Sequence, residues 1–219
     1  VLLVMENLVQ IELSYFSLGM FFTFLVLASL LTYILVTRVR QLTRLDYDLV
    51  MPPVPMTIQI QIQNAEKAYY SHTSWFRKLV ENVQDILSLL FPGWVFRLNF
   101  SIGKMRMKPQ TIRNLIPWAI DRKFLKIHLQ GLSHPSHLLA YFAMQPFVSR
   151  WQAAVLIAYL REIHPQLQSM DWATIQDDER LVQKLYSGYM GAGGDWEQWK
   201  SSLEPGREAI RRFSLIVRE

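Results

Sequence analysis

Two glutamates stand among residues that suit proton transfer. Glu66 lies in Ala65-Glu-Lys-Ala-Tyr-Tyr-Ser-His72, and Glu81 follows fifteen residues later. A lone carboxyl in a partly apolar cleft has its charged form disfavoured by desolvation, which raises its pKa. Such a group can give its proton to a bound substrate, the task of a general acid. Tyr69, Tyr70, Trp75 and Phe76 are close in sequence and offer an apolar wall and flat stacking faces. The alternative for each glutamate is a solvated helix face, with Lys67 beside Glu66 and Lys78 within reach of Glu81. The aromatic residues, taken singly, also suit an ordinary core.

Other chemistries find little footing. The chain has no cysteine, which excludes thiol nucleophiles, disulfides and zinc–cysteine sites. It contains no H-E-x-x-H, no phosphate-binding G-x-x-x-x-G-K-[ST] loop, no G-x-G-x-x-G and no G-x-S-x-G. His134 and His137 are separated by Ser136 and Pro135, with no carboxylate adjacent, so capping or surface roles are expected and no metal site. The glycines from Gly191 to Gly194 read as a turn rather than a phosphate cradle. No cofactor is implied.

Composition sets wider bounds. The 219 residues are 51% hydrophobic and 19% charged, too apolar for a disordered chain. The net charge of +5 suits an acidic polymer, a phospholipid surface or a cell wall. Lysine and arginine are scattered rather than striped, so no nucleic-acid partner is expected.

The elements that must position these residues begin with an anchor. Leu13 to Thr37 are 25 consecutive uncharged positions between Glu12 and Arg38. About 20 apolar residues at ~1.5 Å each span a bilayer. Tyr15 and Tyr33 sit near the ends, where aromatic rings favour the interface. The acidic start, Glu6 and Glu12, does not suit a cleaved signal peptide. Residues 1–37 therefore read as a segment with one transmembrane helix, embedded in the lipid bilayer. Arg38, Arg40 and Arg44 follow the span and no lysine or arginine precedes it, which argues for a cytoplasmic C-terminal part.

Residues 38–56 read as a basic, proline-rich linker ending in Met51-Pro-Pro-Val-Pro-Met56. Residues 57–219 read as one domain. Thr57 to Gln63 alternates with period two, a strand signal, but runs straight into helix-like sequence, so it reads either as a strand or as the first turns of a helix. Trp75 to Leu90 is amphipathic at helical spacing, with Ser74 as N-cap and Phe91-Pro-Gly93 as its end. Asn99 to Lys108 is a polar loop around Gly103. Further helices are expected from Pro109 to Ile116, stopped by Pro117, and from Pro135 to Met144. Others are expected from Arg150 to Ile163, from Asp177 or Asp178 to Tyr186, and from Glu204 or Pro205 to Val217. The fold class is mainly α.

Three stretches together resemble the lysozyme-like domains of lytic transglycosylases and goose-type lysozymes. Those domains place a catalytic Glu at the end of an early helix. A loop of the form S-x-G-x-x-Q-x-x-P-x-T-A follows, then a helix with A-x-x-Y-L and a closing Y-N-x-G-like turn. Ser101-Ile-Gly103 with Met107-Lys-Pro109-Gln-Thr111 is similar to the loop, Ala154 to Leu160 to the helix, and Leu185-Tyr186-Ser-Gly188 to the turn. The order agrees over residues 60–200. Glu66 with the following Tyr-Tyr-Ser-His also resembles the E-D-x-x-F-x-x-H start of the penicillin-binding-protein glycosyltransferases. The chain departs from the pattern at Arg106, where the loop carries Gln, and at Ser187, where the turn carries Asn. An arginine beside the acid would lower its pKa.

The resemblance implies a lysozyme-like helical domain and a peptidoglycan partner. Glu66 is the catalytic candidate, with Glu81 the alternative. Ser101, Gly103, Arg106, Thr111, Tyr186, Ser187, Tyr69 and Tyr70 are the implied substrate contacts. The expected function is peptidoglycan cleavage or binding by a domain anchored to a bacterial cell membrane through a single pass. That function requires the domain outside, against the indication of the three arginines. The alternatives are a non-catalytic scaffold binding a membrane-protein partner and, more weakly, a lipid-binding domain.

Overall fold

The computed structural model describes residues 2–42, 46–103, 106–128, 146–191 and 195–216. The chain divides into two units, Val1–Arg44 and Leu45–Glu219.

The first unit is one helix, α1, Leu2–Leu42. Within it Ser17–Thr37 has a mean hydropathy of 2.2 and no buried share. Two hydroxyls in this stretch bond back along the helix. Thr23 Oγ1 donates to the Gly19 carbonyl and Thr32 Oγ1 to that of Ala28, each at 2.8 Å. Such back-bonding leaves the threonines with no demand on an external partner.

The second unit is mainly helical. Its elements are β1 Asp46–Leu49, α2 Met56–Ser71, α3 Trp75–Leu90, α4 Pro92–Leu98, α5 Pro109–Asp121 and β2 Leu125–His128. There follow α6 Pro146–Ile163, α7 Pro165–Gln168, α8 Trp172–Asp177, α9 Glu179–Tyr189, α10 Trp196–Ser201 and α11 Arg207–Ile216. The strands pair antiparallel, with Asp46 opposite His128 and Leu49 opposite Leu125.

Packing decides one open reading of local sequence and overrides two. Residues 57–63 take the helical alternative. Ile58, Ile62 and Ala65 are fully buried at helical spacing, while the intervening Ile60 is exposed. Pro117 does not stop α5, which continues to Asp121. The proline lies on the exposed side, so the Arg113 carbonyl it leaves without an amide can meet water. Ile112, Leu115 and Ala119 bury the opposite face across it. The segment expected to be a linker begins the compact unit: it contributes β1, and Val54 is buried. The proposed helix at residues 135–144, with His134 and His137, lies outside the described residues.

Helix α6 is the centre of the core. Trp151, Ala153, Ala154, Val155, Leu156, Ile157 and Leu160 are buried on all its sides, as befits a helix enclosed by others. Trp151 also fixes one end of the two-stranded ribbon. Its Nε1 donates to the carbonyls of Val50 at 3.0 Å and Phe124 at 3.2 Å.

Helix α9 extends beyond Tyr186, so Gly188 is helical and not part of a turn. It is glycine because Trp199 of α10 lies against it. A Cβ there would come within 2.6 Å of the Trp199 ring and 3.0 Å of Leu160. Gly188→Ala is therefore expected to cost about 1–3 kcal/mol by overpacking, despite alanine's better helix propensity. Denaturant titration checks this; an unchanged or raised midpoint would show that Trp199 moves aside freely.

Helix α2 packs against both α9 and α11. That packing builds the site.

Candidate functional site

A cleft of about 1070 Å³ opens in the second unit. Glu66, Tyr69 and Tyr70 of α2 line it, with Lys78, Glu81 and Asp85 of α3 and Ser101, Gly103 and Arg106 of the loop. Thr111 of α5, Tyr189 of α9 and Arg212 of α11 complete this part of its lining.

Glu66 follows directly on the buried stripe of Ile58, Ile62 and Ala65, which places it at the edge of the core. Its side chain is 17% exposed. Oε1 accepts from Tyr186 Oη at 2.5 Å and from Arg212 Nη1 at 3.1 Å. Burial is the largest influence on its carboxyl and holds the pKa above the ordinary 4.5, against the lowering by Tyr186 and Arg212; the charge of Glu81 adds to the rise. The Tyr186 phenol is itself pushed up by burial and by Glu66, so it stays a proton donor.

Arg212 is firmly held. Its guanidinium lies 3.6 Å from the centre of the Tyr69 ring, and its Nε donates to Glu208 at 2.9 Å. Burial works against its charge, but its contacts with Glu208, Tyr186 and Glu66 outweigh that and strengthen its hold on the proton. Hydrogen bonds from Arg211 and Arg212 in turn bring the Glu208 carboxyl down to about 2.

A second cluster faces the same cleft. Arg106 Nη1 donates to Asp85 Oδ1 at 3.1 Å, and its Nη2 lies 3.3 Å from Glu81 Oε2. Arg77 approaches Glu81 Oε1 at 3.3 Å. The Gly103 amide donates to Asp85 at 3.0 Å. Burial raises the Asp85 carboxyl, opposed by Arg106 and by Gly103. The loop is pinched by the Ile102–Met107 bridge, with Gly103 at φ 73° and Arg106 at φ 51°. Glycine takes that conformation freely; for arginine it is strained. The two carboxylate contacts of Arg106 keep it there.

The sequence-derived site is thus assembled in large part. Glu66, Tyr69, Tyr70, Glu81, Ser101, Gly103, Arg106 and Thr111 share one cleft. Tyr186 is fully buried and reaches Glu66 from the core side. Ser187 does not join them: one residue further round α9, it is buried and donates to the Lys184 carbonyl at 2.7 Å. Arg106 pairs with Glu81 and Asp85, and the arginine on Glu66 is Arg212. Trp75 and Phe76 are not among the lining residues and stand exposed, 74% and 61%. The Tyr69 ring has Arg212 over it, and Lys78 Nζ lies 5.2 Å from the centre of the Tyr70 ring, so cations already occupy stacking faces. Sequence reasoning missed Arg212, Asp85 and Tyr189. The Glu208–Arg212 spacing of four was a readable sign that Arg212 would be held on α11, though not that it meets α2.

Among the described residues no group of three or more His, Cys, Asp or Glu is placed to hold a metal ion. No protein-family model matches the chain, and no curated protein or solved structure matches it.

The raised Glu66 pKa has a signed consequence for stability. Below pH 4.5 the carboxyl is neutral in both folded and unfolded chains. Between 4.5 and its folded value the folded state binds the extra proton, so stability falls as pH rises through that window and levels off above it. Thermal melts should show the wild type losing ground to Glu66→Gln as pH rises from 4.5. The reverse trend would mean that Arg212 and Tyr186 outweigh burial.

Proposed function

We propose that the second unit is a lysozyme-like domain acting on peptidoglycan glycan strands, held at a bacterial membrane by Ser17–Thr37, with Glu66 as general acid. The observation that carries this reading is the largely buried Glu66 carboxyl, its pKa raised and one oxygen held by Tyr186, in the wall of a cleft large enough for several sugar units.

The chemistry follows from the contacts. Tyr186 and Arg212 both bond to Oε1, which leaves Oε2 to carry the acidic proton. Transfer of that proton to the glycosidic oxygen lets the bond to the anomeric carbon break, and the leaving sugar departs as an alcohol. The carboxylate formed is then stabilised by the same two donors. The cationic sugar is captured by water or by its own hydroxyl, the proton released going back to the Glu66 carboxylate, which gives a hydrolase or a transglycosylase respectively. Gly103 allows close approach of backbone to a glycan, and Ser101 and Thr111 offer hydroxyls along the loop.

A second reading is a non-catalytic scaffold. The ion pairs favour it: Arg212 already answers Glu66, and Arg106 answers Glu81 and Asp85. Arg38, Arg40 and Arg44 also favour a cytoplasmic domain, away from peptidoglycan.

The detergent-solubilised chain, incubated with purified sacculi, separates the readings. Muropeptide release is expected; binding without release at low and moderate salt would make the domain a glycan binder. Neither binding nor release would remove peptidoglycan as a partner. Reporters active only in the periplasm or only in the cytoplasm, fused after Glu219, give the orientation independently.

A further inference from the structure

The amphipathic helix α3 is arranged opposite to the usual order. Its polar side, with Arg77, Lys78, Glu81 and Asp85, lines the cleft. Its apolar side faces outward: Trp75, Phe76, Leu79, Val83 and Ile86 are all exposed, Ile86 by 50%. Trp94 of α4, which packs against α3, is exposed by 61%. A soluble helix normally turns its apolar stripe to the core. A contiguous exposed apolar face rimmed by polar residues marks a docking surface.

We propose that the outward face of α3 and α4 lies in the lipid interface of the membrane that holds the N-terminal helix, rather than against another protein. This rests on the anchor reading of Ser17–Thr37. Two features of the chain select lipid. Only residues 38–44 separate the span from the compact unit, a covalent reach of at most about 25 Å, which keeps a bilayer within range of the domain. The composition is also interfacial: Trp75 and Trp94 are amphipathic rings suited to headgroup depth, and Arg97, on α4 with Trp94, is exposed to meet anionic headgroups. Because the opposite side of α3 is a cleft wall, this docking holds the cleft beside the headgroups, where it receives the glycan nearest the membrane.

The absence of native cysteine permits a direct test. The full chain is reconstituted into phosphatidylethanolamine–phosphatidylglycerol vesicles as single variants Phe76→Cys, Ile86→Cys, Gln198→Cys and Leu25→Cys. Each carries an environment-sensitive fluorophore, quenched in turn by nitroxide lipids and by aqueous iodide. Several-fold lipid quenching is expected at positions 76 and 86, none at 198, and strong lipid quenching at 25. Quenching of 76 and 86 by iodide alone, with 25 still lipid-quenched, overturns the docking and leaves the anchor intact. Loss of lipid quenching at 25 removes the anchor and the docking together. Protection of 76 and 86 from both quenchers means that protein covers the face, and lipid quenching at 198 as well means adsorption without a defined face. Either result overturns the proposal.

Discussion

Glu66→Gln is expected to reduce muropeptide release from sacculi by about 10²–10⁴-fold, the range over which a positioned general acid contributes. The substitution keeps the size of the side chain and lets its amide oxygen go on accepting from Tyr186, so folding and glycan binding should persist. What it removes is the proton on Oε2. Glu81→Gln should be far milder, because Glu81 is engaged by Arg77 and Arg106 and serves to position the loop. Parallel release assays on both variants, with sacculus pull-down as the control, decide the matter. Undiminished release by Glu66→Gln would end the assignment, and loss confined to Glu81→Gln would transfer the acid to α3. In an active enzyme the raised Glu66 pKa also requires release to decline as pH rises past the folded value. Arg212→Met should move that decline to higher pH, since Arg212 lowers the pKa.

The second large effect concerns the core. Trp151 is 2% exposed at the centre of the unit and joins α6 to the segment before α2 through the Val50 carbonyl. Trp151→Ala is expected to destabilise the domain by about 3–5 kcal/mol, through lost burial and the cavity left behind. Trp151→Phe keeps most of the packing and loses the Nε1 donor, so it should cost less, with about 1 kcal/mol assigned to the hydrogen bonding. Denaturant titration followed by circular dichroism measures both. Equal losses from the two substitutions would show that the hydrogen bonds, not the packing, carry the effect.

Much of this architecture is legible in the sequence, and the failures have physical causes. The apolar period of Trp75 to Leu90 and the Ser74 cap define α3 correctly, with Ser74 accepting from the Arg77 amide. Periodicity cannot say which face turns inward, and here the polar face lines the cleft. At residues 57–63 two periods coexist, and only the tertiary burial of Ile58 and Ile62 selects the helix. Pro117 is a sound local stop that yields to the burial of Leu115 and Ala119. The Glu66–Tyr186 pairing is approachable because both residues lie in stretches that resemble the lysozyme-like motifs. Arg212 was not, since its role depends on α11 packing against α2, a contact with no local trace. The placement of Ser187 fails for the same reason: the resemblance gives chain order, while the turn of α9 decides which side chain reaches the cleft.

The contact between Arg212 and Glu66 spans 146 residues of chain. Closing so long a loop has an entropic cost that the packing of α11 on α2 must offset. During synthesis the cleft wall and its acid leave the ribosome well before α11 exists, so the carboxyl lacks its guanidinium until α11 docks. Maturation of the site thus reports completion of the domain, and a chain cut between α10 and α11 would carry every residue of the loop and α3 while lacking the cation that organises Glu66.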